Sequence, residues 1–275
     1  VQFEFPWALG PADGRYVVRD AADEPPSHVL VLATLGAPER RRRRDRRARP
    51  AAAEPPPTAV TTARATVVEA EPLSIAEAER WLAAAGSEDA EGALAQVARA
   101  VRAYRLASWD PAVHEPALAQ ALVVRAGHGP GEQVAEGRWG AARELPPAPT
   151  ARRRRMAGLQ PQERLAALLG GRARPLACEE LALRARHDLD TGQMREAALQ
   201  LGAALDAALG ELPTAPDASA DMADRIAELR ERRPAVAALA DRALTGALPS
   251  DASESLATTL LRLEAALRAR IATTL

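Results

Sequence analysis

The sequence predicts an α+β chain: a small antiparallel sheet with helices at the N-terminal side, followed by an all-α domain of helical hairpins. Three observations predict it. Before residue 70 the apolar residues come in short β-branched runs. After Leu73 they recur at the three-to-four spacing of helices, and a proline-rich stretch at 144–150, followed by four arginines, interrupts that pattern midway. The expected division is a first domain over 1–143, a Pro/Arg-rich linker over 144–155 and a helical domain over 156–275.

The first candidate strands are RYVVR at 15–19 and HVLVLATL at 28–35; the second is apolar at both parities, as in a strand buried on both faces. The turn-rich DAADEPPS between them suits an antiparallel pair, and TTARATVVEA at 61–70 supplies a third strand. Phe3, Phe5 and Trp7 alternate, which places them on one face of an extended segment that Pro6 should keep at the sheet edge, as an aromatic lid.

Ser74 and Glu77 have the spacing of a capping box, in which the serine oxygen accepts from a free N–H while the glutamate reaches back, and Ile75, Ala78, Leu82 and Ala85 then share a face. Leu94, Val97, Val101 and Tyr104 repeat the helical spacing up to Asp110-Pro111, which reads as an N-cap and first-turn proline. The segment 112–125 fits either another helix or one that finishes as a strand at Leu122-Val123-Val124. Past the linker, candidate helices fall at 161–169, 176–188, 193–209, 221–232, 234–244 and 252–271. In the last of these Leu256, Leu260, Leu263 and Leu267 form a short heptad seam, suited to a bundle core or to a homo-oligomer.

Composition narrows the chemistry. All 36 basic residues are arginine, because the chain has no lysine; it also has no asparagine. That removes Schiff-base nucleophiles, Ser-Lys dyads, the phosphate-gripping lysine of nucleotide loops and the strand lysine of kinases. The single cysteine, Cys178, has no intramolecular disulfide partner and reads as a small core residue, and no stretch is apolar for long enough to span a bilayer, so a cytoplasmic setting is expected. No aromatic residue follows Trp139, so the second domain must build its core from Leu, Ala, Val, Ile and Met.

Charge is uneven. The run at 40–49 holds Arg40, Arg41, Arg42, Arg43, Arg44, Arg46, Arg47 and Arg49 around one aspartate, and 152–155 holds four more arginines; the rest of the chain carries −12. The first run lies in an Arg/Pro-rich loop at about 38–58, expected to be disordered and a candidate arm for phosphate or nucleic acid. Gly127, His128, Gly129 and Gly131, with Arg138 nearby, are the candidate cofactor-binding set, since glycines let backbone N–H groups approach a phosphate. Their spacing departs from the dinucleotide fingerprint, Pro130 removes a donor, and a tight turn is the expected role; no cofactor is expected. His187-Asp188 invites a metal reading like that of the HD phosphohydrolases, but nothing nearby sets further ligands.

Leu181, Ala185, Gly192, Ala197, Leu201 and Ala204 lie at offsets that resemble a tetratricopeptide helix pair over about one repeat. Arg184 and Asp188 stand where that repeat is usually apolar or aromatic, and Leu209 where a closing proline is common, so a generic αα-hairpin accounts for the pattern equally. Such hairpins present grooves to peptides, and no set of nucleophile, base and orienter is legible. The expected function is therefore a non-catalytic interaction or adaptor module with a protein partner. Alternatives are weak phosphate binding through the arginine loop and an enzyme with an unrecognised acid-base or metal site.

The run at 40–49 has no aromatic to stack on a base, and the acidic remainder of the chain repels a polyanion. The prediction is no nucleic-acid binding tighter than micromolar at ~0.15 M salt. A tighter complex in a filter-binding titration, lost when 40–49 is deleted, would overturn it.

Overall fold

The computed structural model describes residues 1–36, 61–145, 161–214 and 220–274, and the chain divides into two compact units, Val1–Ala148 and Pro149–Leu275. The arginines at 40–49 and 152–155 and the loop at 38–58 lie outside the described residues.

The first unit is a six-stranded antiparallel sheet of β1 (Gln2–Phe5), β2 (Gly14–Val18), β3 (His28–Leu35), β4 (Thr62–Glu69), β5 (Val123–His128) and β6 (Ala141–Glu144), in the order β2-β3-β4-β1-β5-β6. Leu32, Ala65, Phe3 and Val124 stand opposite one another across the four central strands, so their side chains share a face, and all are buried. Two helices, α1 (Ile75–Ala84) and α2 (Ser87–Ser108), bring Val97 and Val101 into the same core. The opposite face carries a row that is polar except for Val31: Arg15, Val31, Thr66, Gln2, Arg125 and Glu144. Gln2 and Thr66 are buried there beneath a 3₁₀ segment, Gly131–Glu136, and the Gln2 amide donates to Thr66 Oγ1 (3.0 Å) and to the Val134 carbonyl (3.5 Å).

Phe3 and Phe5 share the core face, with ring centroids 6.1 Å apart, but β1 is not an edge strand. It lies between β4 and β5, and Pro6 causes no conflict because the strand ends at Phe5, leaving the ring outside the ladder. The capping box at Ser74 forms as expected. Ile75, however, is 74% exposed: a first-turn side chain leans toward the helix N-terminus, and of this helix Trp81 and Leu82 pack on the core instead.

Asp110-Pro111 does not start a helix. Trp109 ends α2 in a left-handed conformation, and the Asp110 carboxylate accepts from the Ala112 N–H in a local turn. The following segment is tied back to α2 by Glu115, which accepts from Arg102 at 2.8 Å and 3.0 Å. Of the two readings of 112–125 the strand ending holds, as β5, preceded by one 3₁₀ turn at Leu118–Gln120.

The second unit is helical: α3 (Pro161–Leu169), α4 (Ala177–Asp190), α5 (Met194–Glu211), α6 (Ala220–Thr245) and α7 (Ala252–Thr274). The α4–α5 pair is a helical hairpin whose turn uses Gly192 at φ +75°. Ala185, Ala197, Leu201 and Ala204 are buried, Leu181 is half-buried, and Leu256, Leu260, Leu263 and Leu267 of α7 are buried in this unit's own core.

The helices expected at 221–232 and 234–244 are one helix, with Pro234 inside it. Met222, Ile226, Leu229, Val236 and Ala243 are buried on a single heptad-spaced stripe, and a break at the proline would take its two halves out of line. Tertiary packing thus overrides the local signal, at the cost of one backbone hydrogen bond. Pro234→Ala restores that donor and should stabilise the chain by about 1–3 kcal/mol in urea denaturation followed by circular dichroism. No gain would mean that α6 is broken at 234 in solution.

Candidate functional site

The glycine set lies in and after β5. Gly127 is within the strand, where a Cβ would come within 2.7 Å of the Ala141 carbonyl, Ala142 Cβ and Trp139, and a Cβ on Gly129 would meet the Arg138 carbonyl at 2.8 Å. Both glycines therefore admit the returning chain. The cluster is not a tight turn, since the strand resumes only at Ala141, after the 3₁₀ segment that Gly131 opens at φ +57°. Donors in this connection are spent internally: Gly137 N–H on Val134, Arg138 N–H on Gln133 and Gly140 N–H on the carbonyl of His128. The His128 imidazole keeps Nε2 buried without a hydrogen-bond partner, and the Arg138 side chain is exposed, 3.6 Å from Glu136.

His187 and Asp188 occupy the last turn of α4, and both carbonyls accept from the Thr191 hydroxyl. Among the described residues no three His, Cys, Asp or Glu side chains form a group that could hold a metal ion. No helix there is long and apolar enough to cross a membrane.

At the other end of α4, Cys178 is fully buried in the helical core. The Glu211 carboxylate closes this helix start, accepting from the Ala177 N–H at 3.1 Å and the Cys178 N–H at 3.0 Å. Burial pushes the Cys178 thiol up to about 12, and its hydrogen bond to the anionic Glu211 adds to the rise. For Glu211 itself burial acts upward, but the hydrogen bonds from Cys178 and Ala177 outweigh it and hold the carboxyl below its ordinary value.

Among the described residues, a feature with open access lies between α5 and α6. A groove of about 350 Å³ has a floor of small residues, Gly202, Ala203, Ala237 and Ala240, and a Cβ on Gly202 would rest 3.5 Å from that of Ala240. Leu199 and Leu244, 37% and 66% exposed, line it. Arg233 and Asp206 pair at 2.5 Å, and Asp241 stands on α6 between Ala240 and Leu244. The two helices run antiparallel, because Arg195 reaches the Ala243 carbonyl at 2.8 Å while Arg233 reaches Asp206.

None of these groove residues belongs to the sequence-derived candidate sets. Ala237, Ala240, Asp241 and Leu244 all fall within the helix expected at 234–244, and the continuous α6 adds only Arg233 to their side. The usable signal is in α5, which has no charged residue between Glu196 and Asp206. The chain matches no family model, no curated protein and no solved structure.

The state of Cys178 is directly testable. With its thiol buried and raised to about 12, native protein at mildly alkaline pH should leave a disulfide reagent such as DTNB unconsumed, and denatured protein should consume one equivalent. Rapid native reaction would show that the α4 start is open.

Proposed function

We propose that the protein is a non-catalytic interaction module whose helical unit offers the α5–α6 groove to a protein partner. The observation that carries this reading is the uncharged stretch of α5. Its inner face buries Ala197, Ala198, Leu201, Ala204 and Leu205, while its outer face leaves Leu199 and Ala203 exposed without an intervening charge. A helix that is apolar on both sides normally has neighbours on both sides. The groove beside it supplies the second seat, with small residues that let another backbone come close and a leucine at either helix to fill a facing hollow.

A photo-crosslinking residue placed at 199 or 244 should capture a protein, whereas the same residue at the exposed Leu183 of α4 should not. Equal capture at all three positions, or none at 199 and 244, would refute the assignment.

A further inference from the structure

We infer that the free edge of β2 is a contact between two copies of this chain, which join β2 to β2 antiparallel about a two-fold axis at Tyr16 and so make one continuous sheet. The inference concerns the sheet unit and is independent of the α5–α6 groove. It starts from the direction of the backbone. The Thr34 N–H points toward β2, where the Asp13 carboxylate accepts it at 2.9 Å. Backbone groups alternate sides along a strand, so the even residues of β3 face β2, and their partners Gly14, Tyr16 and Val18 pair inward. The N–H and C=O groups of Arg15 and Val17 therefore point out of the sheet, where no described strand meets them. The two edges of the sheet differ. At the other edge β6 is only Ala141–Glu144, with Arg143 and Glu144 charged, a short and charged strand of the kind that resists pairing. β2 instead presents Tyr16 and Val17, 37% and 58% exposed, and its one charged side chain, Arg15, is drawn over the sheet to Glu132 of its own chain.

β2 fits its own copy in one register. A two-fold axis at Tyr16 sets Arg15 of each copy opposite Val17 of the other, and within the strand this register alone engages the outward N–H and C=O of both residues. An axis at Arg15 would set that residue against itself, and an axis at Val17 would set Arg15 against Arg19, like charges in both cases. Side chains agree with the choice. Tyr16 meets its copy as a close, non-hydrogen-bonded pair, the position at which cross-strand aromatic side chains approach best. Its ring lies back toward Gly14, with the hydroxyl donating to the Ala12 carbonyl. Gly14 stands opposite Val18 of the second copy, so no side chain comes between that valine and the ring. Val17 is covered by the aliphatic stem of the second copy's Arg15. A strand of unrelated sequence would have to bring this alternation by chance, whereas a second copy brings it by symmetry.

The test uses the purified full chain. Sedimentation equilibrium should give a dimer at roughly 100 μM. Val17→Pro removes an outward N–H and leaves the ladder to β3 intact, so it should give a monomer with an unchanged circular dichroism spectrum. Val17→Lys sets a cation against Arg15 at both symmetry-related pairs and should weaken the dimer roughly tenfold; it decides the matter if the proline variant does not fold. The register is read with cysteines. Tyr16→Cys should form an interchain disulfide on mild oxidation, because the Cα atoms of a non-hydrogen-bonded pair stand about 4.5 Å apart, whereas Val17→Cys, set off from its own copy, should not. Cys178 is buried in the helical core and does not compete. A wild-type monomer at that concentration, a dimer indifferent to the Val17 variants, or a disulfide at 17 and none at 16 would each overturn the inference.

Discussion

The helical unit is governed by the size of the side chains available to it. With no aromatic residue after Trp139, α4, α5 and α6 meet largely through buried alanines: Ala182 and Ala185, Ala198, Ala204 and Ala208, and Ala243. A buried methyl contributes only about 0.8 kcal/mol, against about 1.5–3 kcal/mol for a buried leucine. The alanines therefore set how near the helices stand, and the leucines supply most of the burial. That is why Leu201, Leu205, Leu229 and the four seam leucines of α7 sit at or below 6% exposure. Polar clasps complete the frame: Arg186 reaches Glu264 at 2.7 Å, and Glu179 takes Arg164 at 2.8 Å and Arg270 at 3.3 Å, linking α4 to α7 and α3. Partly buried pairs of this kind define which helix faces which more than they add net stability.

In the sheet unit the corresponding constraint is topological. β2, β3 and β4 follow one another as neighbours, but β1 fills the place between β4 and β5, so its ladders join residue pairs such as Phe3 with Ala65 and Phe3 with Val124. Such pairings close long loops before contacts reward them. The position also explains the two characters of this short strand. Phe3 and Phe5 face the helices, and Gln2 and Glu4 face the polar side, where Gln2 bonds Thr66 and Glu4 takes Arg64 at 2.7 Å. A central strand with one polar face must find partners for every buried group, and the Gln2 amide donates to two acceptors, Thr66 and the Val134 carbonyl, while its oxygen accepts from Arg125.

Elements whose signal is local and repeated were legible in the sequence: the β-branched runs, the capping box at Ser74, the hairpin turn at Gly192 and the leucine seam of α7. Elements that depend on distant partners were not. Whether β1 is an edge or an interior strand is decided by where β5 pairs, and no property of residues 2–5 announces it. Pro234 carries a strong local stop signal, but a stripe of buried residues running from Met222 to Ala243 outweighs it. The site was less legible than the fold for the same reason. Glycine clusters and His-Asp pairs are conspicuous in one dimension, whereas the groove is assembled from small residues of two helices that meet only in the folded unit.

The groove is also a consequence of the alanine packing. A helix in a leucine-rich bundle ordinarily buries one stripe and charges most of the rest, as α4 does with Arg184, Glu180 and Asp190 beside the exposed Leu183. α5 does not follow that division. Its inner face is fully used against α4, α6 and α7, and its outer face between Glu196 and Asp206 offers water only leucine, glutamine, glycine and alanine. Nothing in the unit's own core requires Leu199 or Leu244 to be leucine, because neither is buried there. These two leucines, beside a floor of small side chains, are the residues on which the proposed interaction surface rests.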